Sequence, residues 1–373
     1  MSIELLTGDA ALAEAGALKP EPKRSPQYWA RVAEVATIFG AAMAGNARAM
    51  LTLKESLSTS DFPNLLGTVF GRELLATYQQ LPQVWSSFAS RSVVNDFRAK
   101  TLVDLLGGRG ILGSVAELQE YPARKPSEAT YSLKVGKLGA RVPLSWEMIV
   151  NDDLDSLRDL PNRLAQAARD TEDYTATAAL VGGTGPLTAF WKAGNGNAPV
   201  TGAGSALTAD SLTAALTAIS TRKDSEGRPI AINGYVLMVP PALEVVANNI
   251  VNATEIRITQ GSNLTTVGNW LRGKVTIVVN PWLTVIDTSG TAATTWYVLP
   301  APNTSRPAVA LGFLRGHETP DLRVKADTGN SLGGGSLNPQ DGSFDIDDIQ
   351  YRIRHVLGSA TLDPIGTYVA KGA

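Results

Sequence analysis

The chain has no cysteine among its 373 residues, only two histidines, and charges that nearly cancel, with 33 Lys and Arg against 35 Asp and Glu for a net charge of -2. Each shortage removes a class of function. Without cysteine there are no disulfides, thiolate metal ligands or thiol nucleophiles. His317 and His355 stand apart, and no H-E-x-x-H spacing occurs, so an imidazole metal centre lacks its ligands. The charge balance leaves no broad basic footprint, which restricts any contact with DNA to weak or local ones. The apolar stretch Val35 to Gly45 is far shorter than the ~20 residues of a membrane span, and Met1 to Gly16 is acidic, without the basic start and apolar run of a signal peptide. A soluble cytoplasmic product is expected. What the chain does have is apolar bulk: 44% hydrophobic residues, enough for a large core and for two or three compact units.

Periodicity divides the chain into textures. Residues 1 to 25 are small and polar, and Trp29, Val32, Val35, Ala36 and Phe39 predict a helix over Gln27 to Lys54. Capping residues and Pro63 lead into a second helix, Leu65 to Leu81, which Pro82 ends. A short strand is expected over Val93 to Arg98. From Leu154 to Val181 apolar residues recur at three- and four-residue steps, predicting a long amphipathic helix with Pro161 near its start. Beyond it, Leu207 to Lys223 reads as helix, Tyr235 to Val239 as buried strand, Pro240 to Ile250 as helix and Val275 to Asn280 as strand, an α/β unit. Trp296 to Pro300, Ala308 to Leu314, Leu322 to Lys325 and Phe344 to Val356 read as antiparallel strands, so the fold class is α+β with at least two units.

Between these textures lies a long charged arm. It runs from Glu117 to Ser145, too extended to hold a core of its own, and carries Glu117, Glu120, Arg124, Lys125, Glu128, Lys134, Lys137 and Arg141. Mixed charge on a projecting element suits pairing with a neighbour, where electrostatics sets register; a merely solvated hairpin is the alternative. Tyr131, Leu133 and Val135 alternate with polar residues, and the alternation resumes out of phase at Leu138. That phase change predicts a bulge or bend at Gly136-Lys137, with a tight hairpin as the competing reading.

Catalytic signals are weak. Gly329-Asn330-Ser331-Leu332-Gly333 matches the G-x-S-x-G nucleophile elbow, and Asp345 and His355 follow in hydrolase order. An elbow needs a helix after the serine, whereas Gly333-Gly334-Gly335 and Pro339 follow. Asn151-Asp152-Asp153 directly precedes the long helix and reads as its cap rather than as a cation site. The glycines at 182, 183 and 185 lack the Gly-Lys-Ser/Thr ending of a phosphate loop. No cofactor is expected.

The order of these motifs resembles a known family. Ser60-Asp61-Phe62-Pro63-Asn64-Leu65-Leu66, then Ser145-Trp146-Glu147 followed by Asn151-Asp152-Asp153-Leu154, then Val236-Leu237-Met238-Val239-Pro240-Pro241, and finally Phe313 to Pro320 and Arg352 to Gly358 are similar to the major capsid protein of tailed double-stranded DNA bacteriophages, with the Hong Kong 97 (HK97)-type fold. The resemblance implies an N-terminal arm over 1–60, a lead-in to the peripheral domain over 61–116, an extended loop over 117–150, and a spine helix with peripheral domain over 151–199. An axial domain over 200–305 and closing peripheral strands over 306–373 complete it. It implies a structural subunit without catalytic residues, forming hexamers and pentamers of an icosahedral head in the bacterial cytoplasm. Portal, scaffolding and cement proteins would be partners, and packaged DNA would be held only non-specifically. Residues 1–55 are expected to be retained as an arm, and Lys125, Lys134 and Lys137 are candidates for a covalent crosslink. The alternatives are an encapsulin-like nanocompartment shell or, further off, a serine hydrolase using Ser331.

Overall fold

The structure, a computed structural model, describes residues 73–105, 128–145, 154–223, 227, 229–230, 232–260, 263–325 and 348–372. In chain order the strands are β1 (Ser90–Val94), β2 (Lys100–Leu105), β3 (Glu128–Leu133), β4 (Gly136–Ser145), β5 (Val181–Gly182), β6 (Gly185–Pro186), β7 (Tyr235–Val239), β8 (Glu255–Gln260), β9 (Asn263–Gly268) and β10 (Val275–Val279). They continue as β11 (Trp296–Pro300), β12 (Val309–Leu314), β13 (Asp321–Val324), β14 (Asp348–Thr361) and β15 (Tyr368–Ala370). The labelled helices are α1 (Leu154–Ala178), α2 (Ala209–Ser220), α3 (Glu244–Asn252) and α4 (Trp282–Ile286). Residues 73–80 are also helical, and residues 65–72 of that expected helix lie outside the described residues, as does the expected helix over 27–54. The mixed α and β content is the class that the sequence predicts.

The chain divides into two compact units, and α1 and β14 each contribute to both. In the first, formed by residues 1–81, 137–169 and 314–356, β14 pairs with β4 and, antiparallel, with β13, Asp321 opposite Arg354 and Val324 opposite Tyr351. Leu160, Leu164, Ala165 and Ala168 form the buried stripe of α1, packed with Leu74, Tyr78, Tyr351 and Ile353. Pro161 stands inside the helix and has no N–H for the Leu157 carbonyl. Gly139 lets β4 approach β14 closely, since a Cβ there would lie 2.5 Å from Ile353 O. Arg169 donates through Nε (2.8 Å) and Nη2 (2.6 Å) to Tyr78 O, with its guanidinium 3.6 Å from the centre of the Tyr78 ring.

The second unit contains a four-stranded sheet in the order β10-β7-β11-β15. β10 and β7 are parallel; β11 is antiparallel to both β7 and β15. Alternation explains its sequence: Val236 and Met238 of β7 face one buried cluster with Trp85, Trp191 and Tyr297, while Leu237 and Val239 face another with α2 and α3. A sheet covered on both faces needs apolar residues at successive positions, which Tyr235-Val236-Leu237-Met238-Val239 supplies. Thr208 starts α2 with a capping box through Ser211, which satisfies first-turn N–H groups. β1, residues 309–313 of β12 and residues 357–361 of β14 belong to this unit too, with β12 antiparallel to β14.

Several boundaries differ from expectation. The first strand is Ser90–Val94 rather than Val93 to Arg98, because Asn95-Asp96 turns the chain; Arg98 N donates to Asp96 Oδ1. β14 continues to Thr361, five residues past Val356. The hairpin β8–β9, α4 and the short β15 had no counterpart in the sequence reading, and β15 joins the α/β sheet rather than the closing antiparallel strands.

Candidate assembly surface

Of the expected arm, residues 117–127 lie outside the described residues, and β3 is one strand of a two-stranded ribbon. β2 and β3 pair antiparallel from Lys100 opposite Leu133 to Leu105 opposite Glu128, and among the described residues neither joins a larger sheet. Its outgoing strand therefore lies at Lys100–Leu105, upstream of Glu117, in a stretch the sequence reading assigned to the lead-in. At the ribbon's base the chain does not turn back on itself: β3 pairs with β2, whereas β4 pairs with β14. The phase change at Gly136-Lys137 is thus not a hairpin.

The ribbon's root is built by close approach of backbones. Leu133 and Val135 are buried, and beneath them Gly312 and Gly358 are cross-strand partners in β12 and β14. A Cβ on Gly312 would lie 2.8 Å from Leu133 Cδ2, and one on Gly358 would collide with Lys134 O and sit 2.9 Å from Val135 Cα. Interior strand glycines of this kind mark a place where another backbone approaches. Beside the root, a cleft of about 160 Å³ is lined by the cross-strand pair Leu102 and Tyr131 and by the buried ion pair Arg306–Asp363, at 3.1 Å. Lys100 Nζ donates to Val93 O at 2.9 Å.

A second junction ties the segment ahead of β1 to α1. Trp85 N donates to Asp173 Oδ1 at 2.8 Å, and its indole Nε1 to Glu172 Oε2 at 2.9 Å. Both carboxylates are buried. Burial pushes the Asp173 carboxyl up to about 6; hydrogen bonds from the Trp85 and Val84 backbones pull it down, while the charges of Glu172 and Asp170 raise it further. The sequence reading passed over this pair, although two adjacent acids inside an apolar helical pattern signal partners for buried donors.

Of the eight arm residues expected at the surface, Glu117, Glu120, Arg124 and Lys125 lie outside the described residues. Glu128 begins β3, its backbone opposite Leu105. Lys134, Lys137 and Arg141 are exposed; Lys137 and Arg141, four residues apart, share one side of β4, and Arg141 Nη1 donates to Gln350 Oε1 at 3.2 Å. Of the hydrolase trio, Ser331 and Asp345 are outside the described residues. His355 is buried within β14, in edge contact with the Tyr78 ring at 6.1 Å, a core position. Among the described residues no group of acids and histidines could hold a metal ion, and no helix is long and apolar enough to cross a membrane.

The sequence from the ribbon's returning strand to β15, residues 128–370, matches the family described as phage capsid protein. The chain belongs to the phage capsid protein family. As a capsid protein it is a structural component of a virion, and the parts described above are parts of a shell subunit. Among solved structures, this capsid protein is similar to the chain described as the capsid of a native GTA particle computed with C5 symmetry, at 13% identity over 78% of this chain and 91% of that one, TM-score 0.44. It is also similar to a chain of Gordonia phage Cozz (16% identity, 77% and 85% covered, TM-score 0.44) and to the capsid of the cyanophage P-SCSP1u (14%, 78% and 88%, TM-score 0.42). None of the curated proteins matches the sequence.

Proposed function

We propose that the chain is the major capsid protein of a tailed double-stranded DNA bacteriophage, an HK97-type subunit that assembles into hexamers and pentamers of an icosahedral head. Its role is structural, without catalysis. The observation that carries this reading is the β2–β3 ribbon: two strands joined to no other sheet among the described residues, rooted by buried Leu133 and Val135, in a chain of the capsid family. A two-stranded ribbon is marginal in water by itself and gains most by lying on a neighbouring subunit. In this reading the ribbon and residues 106–127 form the extended loop, α1 is the spine helix, the β10-β7-β11-β15 sheet is the core of the axial domain, and β4, β13 and the first part of β14 belong to the peripheral domain. Glu117, Glu120, Arg124, Lys125, Glu128, Lys134, Lys137 and Arg141 contact the neighbour. Portal, scaffolding and cement proteins are further partners, and assembly takes place in the host cytoplasm.

Electron microscopy of the purified protein tests the reading: shells or hexamer rings are expected, and monodisperse monomers at every concentration would overturn it. A sharper variant replaces residues 106–127 with a short Gly/Ser linker. That leaves Leu133, Lys134 and Val135 at the root, so the subunit should fold with near-normal stability yet close no shell. Normal shells from that variant would remove the ribbon from the assembly surface.

A further inference from the structure

In the first unit, the sheet formed by β4, β13 and the first part of β14 has one apolar face, where Val142, Leu322, Tyr351 and Ile353 pack with the stripe of α1. The alternate positions belong to the opposite face. There Arg323 stands directly across from Arg352 and Asp321 across from Arg354, and Lys325 N donates to Gln350 O at 2.8 Å, continuing the register. On the other side of β14, Arg141 Nη1 donates to Gln350 Oε1, so Arg141 and, four residues before it, Lys137 join this face. Lys137, Arg141, Arg323, Lys325 and Arg352 are exposed, and Arg354 is half-buried. Six cations thus share one sheet face with two acids, Asp321 and Asp348, in a chain whose overall charge is -2.

The acids arrange this face rather than neutralise it. Asp321 Oδ2 accepts from Arg323 Nε and from Arg354 Nη2, both at 2.8 Å, so one carboxylate holds two guanidinium groups together while the Arg323 side chain stays 58% exposed. Asp348 is buried and accepts from Gln350 Nε2 at 2.7 Å. Arg352 has no carboxylate within ion-pair reach among the described residues. Like charges directly opposite each other destabilise a sheet, and an anion from outside the molecule would relieve the Arg323–Arg352 pair. The face itself selects the kind of anion. Guanidinium forks match phosphate oxygens two at a time. Besides the charges, the outward positions hold Gly139, Pro143, Ser145 and Gln350, so the face lacks both the aromatic anchor of a protein interface and the stacking platform of a single-strand site. A sheet face lying against a duplex enters neither groove, and contacts to the backbone alone carry no sequence information.

We infer that this basic face binds the phosphate backbone of double-stranded DNA without regard to sequence, with Arg323, Arg352 and Arg354 at its centre and Lys325 beside them. The duplex as occupant rests on the capsid reading above; the affinity for a phosphate backbone rests on the face alone. Lys137 and Arg141, which that reading gives to the neighbouring subunit, form the border where the two contacts meet. Cations on one face stand about 7 Å apart along a strand and about 5 Å apart across strands. A duplex carries one charge per about 1.7 Å of its axis, so a short stretch can meet four of them at once. Charge balance over the whole chain hides this patch, because the compensating acids lie elsewhere.

The probe is a fluorescent duplex of about 20 base pairs, titrated with the full chain from about 50 to about 200 mM salt and read by anisotropy. Micromolar binding with a slope of log K against log salt of about -4 is expected, and a second duplex of unrelated sequence should give the same values. Arg352→Gln should make the slope shallower by about 1, and Arg323→Gln combined with Arg352→Gln by about 2, with at least about tenfold weaker binding at the lowest salt. Arg352→Lys keeps the slope, and Lys192→Gln, which removes an exposed cation of the second unit, leaves binding unchanged. Circular dichroism and thermal unfolding establish that each variant is folded; should the double variant misfold, the slope of Arg352→Gln alone decides. An unchanged slope in the folded variant would overturn the inference. Tighter binding of polyglutamate than of the duplex would overturn it too, assigning the face to an acidic protein. The two readings fail separately: a chain that builds shells but holds no duplex strikes this inference, whereas one that holds duplex but never assembles strikes the capsid reading.

Discussion

The molecule carries two ribbons of the same local design, β2–β3 and β8–β9, each six residues per strand and, among the described residues, neither part of a larger sheet. Their anchors differ in kind. The first is rooted by apolar side chains and by two glycines whose missing side chains admit another backbone. The second is held at its base by one asparagine that closes off a helix end. An apolar root in a tightly packed floor resists deformation steeply, because overlap is penalised far more than stretching. A polar clamp on a surface helix is weaker and more tolerant. The pair shows how one small element can be fixed rigidly or lightly by the choice of what surrounds its base.

Breaking the first anchor should have the largest effect. Gly358→Val places a side chain against Lys134 O and Val135 Cα, where both obstacles are backbone, and should cost about 4 kcal/mol or prevent folding; urea unfolding that shows less than about 1 kcal/mol would mean that the root yields freely. Leu133→Ala leaves a cavity over Gly312 and should cost about 3 kcal/mol, read by the same titration, with a near-zero change showing that the floor collapses to fill it. The junction at Trp85 lies outside both ribbons and supplies a pH-dependent control. Asp173 is pushed up to about 6 in the folded chain, against about 3.9 unfolded. Raised in this way, it binds a proton in the folded state where the unfolded chain has none, so stability rises as pH falls from above 6 towards 4. The gain is at most about 3 kcal/mol. Asp173→Asn should raise the melting temperature at pH 7 and flatten its slope between pH 4 and 6; an unchanged slope would dismiss the carboxyl as its source. Smallest is Asn269→Ala, expected to cost about 1 kcal/mol and to raise amide exchange at the base of β8–β9, while exchange at β2–β3 stays as it was. Equal exchange at both ribbons would erase the contrast between them.

Legibility in the sequence followed the same division. Tyr235–Val239 and Trp296–Pro300 read directly, because a strand buried on both faces must be a continuous apolar run and each is bounded by glycine or proline. The long helix read equally well from its stripe, although Glu172 and Asp173 inside it did not announce their buried donors. The ribbons were harder. β8 offers only Ile256 and Ile258 in alternation, too short a signal to separate from a polar loop, and β2 was masked by the glycines at 107, 108 and 110 that follow it. β15 is three residues long and is a strand only because β11 offers it an edge. Of the candidate surface, the charges were visible but the attachment was not: Leu133, Gly312 and Gly358 are far apart in sequence, and what unites them is a distance. Glycine inside an otherwise apolar strand, as in Val309-Ala310-Leu311-Gly312-Phe313, was the available clue.

The glycine floor has a hereditary consequence. Neither Gly312 nor Gly358 has an atom beyond Cα, yet the space above each is occupied, so every substitution there must add volume where none remains. A saturation scan scored for shell formation would rank these two positions as intolerant as a core tryptophan. Descent can remodel the arm's outer reach together with the neighbouring surface it meets, provided that it leaves untouched two residues whose contribution is empty space.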